Sequence, residues 1–431
     1  MKDSGYKWIG QIPDDWKVER LKGHFSFGKG LPITKADLIE EGAPVISYGQ
    51  IHSKANTGVK LDDSLERFVS KDFINSNPQS LVEEGDFIFA DTSEDVEGCG
   101  ACVYVDKQKE LFAGYHTIIA RSNNKQNNKY FAYLFLTDNW RSQIREKVDG
   151  VKLFSTTQTI LKQTYILLPP QDQQKKIADF LDAKCSELQA AIDNTKQTIE
   201  EYKKLKQAVI TKAISKGLET NRKMKDSGSV WFGEVPADWD VKKLKFVFYI
   251  KKDIAGKEGY DVLSITQRGI VVKNINKNEG QLAADYSNYQ LVNIGDFAMN
   301  HMDLLTGWVD ISKYAGVTSP DYRVFQLQNI EENCPRYFLY MMQMCYMDKI
   351  FYGLGQGVSG MGRWRLQADK FLNFLITVPS KDEQEKIAEY LDRKCSQIDT
   401  LISQKEQFIT ELEKYKQSLI YEYVTGKRVL N

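Results

Sequence analysis

The chain has 431 residues with 58 Lys plus Arg against 58 Asp plus Glu, so whole-chain charge neither supports nor excludes a polyanionic partner. Hydrophobic content of 42% suffices for buried cores, while a mean hydropathy of −0.45, no run of eighteen apolar residues and no apolar N-terminal segment disfavour membrane spanning and secretion. Six cysteines are too sparse for a disulfide scaffold, which makes the cytoplasm the simpler location.

Read in chain order, the sequence says the same thing twice. The opening MKDSGYKWIGQIPDDWKVERLK returns from Met224 as MKDSGSVWFGEVPADWDVKKLK, matching Trp8, Gly10, Pro13, Trp16 and Leu21 with Trp231, Gly233, Pro236, Trp239 and Leu244. The repeat, rather than length alone, sets two halves. After each opening comes an insert, residues 23–168 and 245–378, with short Val-, Ile-, Tyr- and Phe-rich runs between Gly, Asn and Asp turns. APVISYG, GDFIFAD, ACVYVD and YHTIIAR in the first, and YDVLSI, GDFAMN and YRVFQL in the second, are predicted strands. Each insert then carries one predicted helix, KYFAYLFLTDNWRSQIRE from Lys129 and RYFLYMMQMCYMDKIFY from Arg336, which makes the class α+β. Gly85-Asp86-Phe87 corresponds to Gly295-Asp296-Phe297, and Tyr130-Phe131 to Tyr337-Phe338, so the inserts share a fold while differing in surface.

Each half closes on a repeated phrase, PPQDQQKKIADFLDAKCS from Pro169 and PSKDEQEKIAEYLDRKCS from Pro379, that opens a helix of roughly 45 residues, about 65–70 Å at 1.5 Å per residue. Leu181, Leu188, Thr195, Tyr202 and Val209 interleave with Ala178, Cys185, Ile192, Ile199, Lys206 and Ala213 in steps of three and four. The same register recurs 210 residues on, in Leu391, Ile398, Lys405, Leu412 and Leu419 with Ala388, Cys395, Ile402, Ile409, Lys416 and Tyr423. A capping box of Ser380 and Glu383, Asp172 and Asp382 in the first turns, and Gly217 and Gly426 beyond the last turns mark the ends. Such helices would expose their seams unless paired with each other. Relation of the halves by a pseudo-twofold axis predicts two antiparallel coiled-coil helices with the inserts at opposite ends, leaving Cys185 and Cys395 too far apart for a disulfide. The expected division is 1–168 (including the repeated 1–22), a central helix 169–219, 220–378 (including the repeated 224–245), and a C-terminal helix 379–431.

Catalytic signatures are missing. No G-x-x-x-x-G-K-[ST] loop occurs, the only Pro-Pro pair (Pro169-Pro170) lacks the aromatic residue of the methyltransferase (D/N)PP(Y/F) loop, and His24, His52, His116 and His301 stand singly. Cys99 and Cys102 form a C-x-x-C without a second ligand pair nearby, so no metal site is expected. Of Pro13-Asp14-Asp15-Trp16-Lys17 and Pro236-Ala237-Asp238-Trp239-Asp240, the shared proline and tryptophan suit a packing corner in which tryptophan anchors the insert to its helix.

Trp8 to Val18 and Trp231 to Val241, each opening a variable domain, followed by Pro169 to Asp182 and Pro379 to Asp392 opening long helices, resemble the specificity (S) subunit of type I restriction-modification systems over the whole chain. The resemblance implies two target-recognition domains on an antiparallel coiled coil, each reading one half of an asymmetric bipartite site in double-stranded DNA. It also implies two adenine-N6 methyltransferase (M) subunits and two restriction/translocation (R) subunits as partners. S-adenosylmethionine, ATP and Mg would then be bound by those partners, with no cofactor and no catalysis on this chain. Polar candidates for base contacts are Tyr48, Gln50, Thr92, Ser93, His116 and Lys152 in the first insert and Gln267, Arg268, Asn300, Asp303, Arg363 and Arg365 in the second. Gly355, Gly357, Gly360 and Gly362 around Arg363 read either as a basic phosphate-contacting loop or as a tight turn before the next strand. On the residues alone, a self-sufficient restriction enzyme and a coiled-coil scaffold without a DNA role remain open alternatives.

Overall fold

The computed structural model describes residues 1–123, 128–274, 283, 285–357 and 364–430. They form two compact units, Met1–Thr195 with Gln407–Asn431, and Lys196–Glu406. Both boundaries fall inside the long helices Gln171–Lys216 and Lys381–Val424, so each unit takes the first part of one helix and the last part of the other.

Within each unit the two helix segments run antiparallel. In the first, the Phe180 ring meets Tyr423 at 4.6 Å and the Lys416 ammonium donates to Gln189 Oε1 at 3.1 Å. In the second, Lys206 pairs with Asp399 at 2.7 Å, at the positions 210 residues from Lys416 and Gln189. A lysine on the seam thus extends along its stem to a polar group of the facing helix rather than burying its charge. Every seam residue predicted from the heptads is buried or half-buried. Gly217 and Gly426 follow the last turns with φ of 74° and 67°, the left-handed stop that glycine adopts without a Cβ penalty. The capping box expected at Ser380 does not close through Glu383, whose carboxylate is held by Arg222 and by the Trp239 indole at 2.9 Å.

The first unit carries an antiparallel sheet in the order Cys102–Tyr104, Phe87–Ala90, Thr117–Ser122, Phe25–Lys29. The second repeats it as Val309–Ile311, Phe297–Met299, Arg323–Leu327, Phe248–Lys251. A second four-stranded sheet of the first unit contains a parallel pair, Ala43–Ile46 with Leu111–Ala113. Equivalent phenylalanines build each core, with Phe25 edge-on to Phe131 and Phe248 edge-on to Phe338, both at 5.5 Å. Each predicted insert helix is instead two. Thr137 has extended backbone and caps Asp138–Arg145 through the Trp140 amide, which ends Asn128–Leu136, and Lys349 at φ 56° separates Pro335–Met347 from Ile350–Gly353.

The repeated phrases bond domain to helix in the same way in both units. Strand Lys17–Arg20 pairs with Tyr165–Leu168, and Asp240–Lys243 with Leu375–Val378. Trp16 donates to Gln173 at 2.9 Å where Trp239 donates to Glu383, so the tryptophan is an anchor. Asp182 accepts from Tyr133 at 2.7 Å and pairs with Lys129, and Asp392 accepts from Tyr340 at 2.8 Å and pairs with Arg336. Gln174 and Gln384, both buried, donate to the carbonyls of Pro169 and Pro379 at 2.9 Å.

The paired aspartates of the Gly-Asp-Phe marks are buried ions whose cation comes from different strands. Asp86 accepts from the Glu83 amide and pairs with Arg121 at 2.7 Å, whereas Asp296 accepts from the Asn293 amide and pairs with Lys251 at 2.9 Å. By strand register Arg121 occupies the place of Gln326, and Gly28 the place of Lys251. A Cβ on Gly28 would meet only Ile119 side-chain atoms at 3.5 and 3.7 Å and the Gln79 carbonyl at 4.0 Å, ordinary contact distances. Arg121→Gln should destabilise the first unit by about 1–3 kcal/mol by leaving Asp86 without a cation. Adding Gly28→Lys should recover part of that loss, which a double-mutant cycle in urea checks; no recovery would mean that the two cation positions are not interchangeable.

Candidate nucleic-acid interface

In the first unit the Gly85 end of the central strands lies by helix Asn128–Leu136, with the Asn128 amide donating to the Gly85 carbonyl at 2.9 Å. The other strand ends carry the candidates. Thr92, just past Phe87–Ala90, donates to Asp91 Oδ1 at 2.7 Å, and His116, just before Thr117–Ser122, meets the same oxygen through Nδ1 at 3.2 Å. Tyr48 opens the short helix Tyr48–Ile51 with its ring edge-on to His116 at 5.4 Å and to Tyr115 at 5.7 Å. Tyr48, Thr92 and His116 therefore belong to one cluster. Phe154–Ser155 pairs with Thr92–Ser93, bringing exposed Lys152 to the adjoining loop between Val151 and Leu153, themselves 95% and 57% exposed.

Two first-insert candidates are engaged internally. Gln50 Oε1 accepts from the Ser47 amide at 3.1 Å, capping its own helix, and Ser93 is buried with its hydroxyl accepting from the Asp95 amide. Three residues that the sequence reading did not select join the cluster: Asp91, Tyr115 and His52, whose Nε2 meets the Thr92 carbonyl at 2.9 Å. The adjacency of Asp91 to Thr92 and of Tyr115 to His116 was the only available signal. Cys99 and Cys102 are both buried, and burial pushes the Cys102 thiol up to about 12, away from the thiolate that zinc would need.

In the second unit the equivalent strand end opens into loop 300–307. Asn300 Oδ1 accepts from the amides of Met302 and Asp303, and Asp303 accepts from Leu305 and Thr306, so both carboxamide and carboxylate shape the loop. Gln267 and Arg268 are exposed at the turn of the Leu263–Val272 hairpin, where Gln267 donates to the Thr306 carbonyl at 3.2 Å. Half-buried Arg365 pairs through its backbone with Gln356, and the Leu366 amide donates to the His301 carbonyl. The structure thus brings Gln267, Arg268, Asn300 and Asp303 together and sets Arg365 beside them. Arg363, with Gly360 and Gly362, lies outside the described residues. Gly355 packs directly against the Trp364 indole, the tight approach that a turn would need.

His301 sits in this second cluster beside Arg323. Burial, reinforced by Arg323 and Arg365, lowers its pKa from 6.5 to about 3. The unfolded chain therefore takes up a proton near pH 6.5 that the folded unit refuses until about pH 3, so this contribution is complete above pH 6.5 and lost as pH falls. Between those limits the slope should approach about 1.4 kcal/mol per pH unit. His301→Gln should remove that component, which urea titrations of the two proteins at pH 7, 5.5 and 4.5 would show as converging midpoints.

Each unit, then, is a sheet domain bonded to an antiparallel helix pair by residues that recur, with divergent polar loops at the far strand ends. A family model for the type I restriction modification DNA specificity domain matches the chain twice, over residues 13–201 and 236–413. The chain belongs to that family, as a non-catalytic specificity subunit of the type I restriction-modification class. It is similar to the specificity subunit of the type I restriction enzyme MjaVIII of Methanocaldococcus jannaschii, 26% identical across 98% of this chain and 95% of that one. A putative MjaX specificity subunit of the same organism is 25% identical across 97% and 95%. Among solved structures, a chain from work on complex assembly and conformational transition of the type I R-M system superposes with a TM-score of 0.69 at 15% identity, covering 97% of this chain and all of that one. The HsdS subunit from Thermoanaerobacter tengcongensis gives 0.52 at 15% identity, over 97% and 98%. At that identity these two establish the fold. No helix among the described residues is long and apolar enough to cross a membrane.

Proposed function

We propose that residues 1–168 and 220–378 each read one half of an asymmetric bipartite site in double-stranded DNA. Helices 169–219 and 379–431 dock two adenine-N6 methyltransferase subunits and set the gap between the half-sites. Two restriction/translocation subunits complete the assembly, S-adenosylmethionine, ATP and Mg belong to those partners, and the complex works in the cytoplasm. One observation carries this reading: recurring residues such as Trp16 and Trp239, or Asp182 and Asp392, are spent on bonds between domain and helix, while non-recurring loops carry exposed polar side chains. A repeated frame is what two copies of one partner need. Unlike loops are what two unlike half-sites need.

Co-expression with a type I methyltransferase subunit, followed by single-molecule methylation sequencing, should yield adenine methylation at one bipartite motif. Replacing residues 23–168 with the corresponding insert of another family member should change one half of that motif and leave the other half intact. Change in both halves, or in neither, would refute modular reading. Because whole-chain charge balances to zero, the isolated chain should bind DNA far more weakly than the assembled complex, a difference that anisotropy titrations at fixed salt would measure.

A further inference from the structure

His116 has φ of 55°, a left-handed backbone that is unfavourable for a residue bearing a Cβ. No burial compensates for it, since the side chain is 58% exposed. Strain kept at an exposed position points to a use for the side chain's direction. That direction is fixed from three sides: Asp91 Oδ1 at 3.2 Å from Nδ1, and the Tyr48 and Tyr115 rings edge-on at 5.4 and 6.0 Å. Asp91 is itself positioned by the Thr92 hydroxyl at 2.7 Å. His52, the other imidazole of this cluster, is occupied with the Thr92 carbonyl.

The chemistry follows from the carboxylate. An ionised carboxylate can only accept, so Nδ1 carries the proton and the neutral ring is left with a single free group, a hydrogen-bond acceptor at Nε2. Among the described residues no hydrogen bond engages Nε2. In the major groove only the exocyclic amino groups, adenine N6 and cytosine N4, offer a donor. We propose that His116, with its tautomer set by Asp91, accepts a hydrogen bond from the N6 amino group of adenine or the N4 amino group of cytosine in the first half-site. This inference rests on the DNA-reading function proposed above. Asp91 is a positioning residue and touches no base. Replacing it with Asn offers Nδ1 an amide donor instead, which favours the opposite tautomer and turns Nε2 into a donor suited to guanine or to thymine O4.

The test uses the full complex with its methyltransferase subunits, reading the methylated motif by sequencing and affinity by anisotropy on duplexes carrying each base pair at every position of the half-site. His116→Ala should make one position of one half-site degenerate and weaken the cognate duplex roughly tenfold, and the substituted duplexes show whether that position is adenine or cytosine. His116→Gly, which also relieves the backbone strain, should do the same, with unchanged reading of the second half-site as the folding control. Asp91→Asn should shift the same position toward guanine or thymine instead of relaxing it. Unchanged specificity and affinity in both His116 variants would overturn the proposal, as would an Asp91→Asn profile identical to that of His116→Ala. A wild-type complex with no bipartite motif would overturn the parent reading as well.

Discussion

The structure depends on how a narrow apolar stripe is covered. Two antiparallel helices with a three-four repeat bury only a thin seam, and off that seam Leu205, Leu401 and Phe408 remain 49%, 40% and 43% exposed. Toward the helix starts the picture reverses: Ile177, Ala178 and Leu181 in one unit, and Ile387, Ala388 and Leu391 in the other, are 4% exposed or less because the sheet domain closes over them. Each domain therefore completes the helix pair in its own unit. The carboxylates Asp182 and Asp392, one residue beyond those buried leucines, then bind a tyrosine and a cation from the domain helix, giving an otherwise non-directional contact a single register.

Where the two units depart from each other, the departures compensate. Asp86 and Asp296 are buried at the same strand start, and neither could stay there as an unpaired ion, yet Arg121 answers one and Lys251 the other from different strands. Tyr130 and Tyr337 show the same economy. The first donates to the Val424 carbonyl at 2.9 Å, and the second meets Thr377, whose hydroxyl donates to the Ile214 carbonyl at 3.3 Å, the helix position equivalent to Val424. What both units preserve is the satisfaction of a buried polar group, and the identity of the satisfying residue drifts.

This explains how much of the molecule the sequence discloses. The frame was legible because it is held by residues that must recur at fixed spacing: the heptads, the Trp-Pro corner and the glycine stops all lie where the repeat placed them. The break at Thr137 was not, because KYFAYLFLTDNW has continuous helical composition and only the threonine cap on Trp140 divides it. Glu383 was misread for a related reason. Its spacing from Ser380 fits a local cap, but Arg222, distant in sequence, supplies a stronger charged partner. The candidate interface was legible only in part, since a polar residue looks the same whether it points outward, as Lys152 and Arg268 do, or bonds to its own segment, as Gln50 does in capping its helix and Asn300 and Asp303 do in closing their loop.

Loops that satisfy their own polar groups can vary without disturbing the frame. Asn300 and Asp303 fold 300–307 through bonds to its own amides, and Asp91 organises Thr92 and His116 through hydrogen bonds at the strand ends away from Asn128. A substitution at such a tip leaves the bonds of Trp16, Asp182 and Gln174 untouched, because those bonds are made to Gln173, Tyr133 and the Pro169 carbonyl and share no partner with the loops. If the loops read DNA as proposed, the same self-sufficiency limits what they can give it. Side chains already committed to loop shape contribute few intermolecular bonds, and with 58 basic against 58 acidic residues the chain as a whole offers the phosphates no net positive charge. In that reading, sequence discrimination resides in a handful of oriented groups and the rest of the assembly supplies most of the affinity.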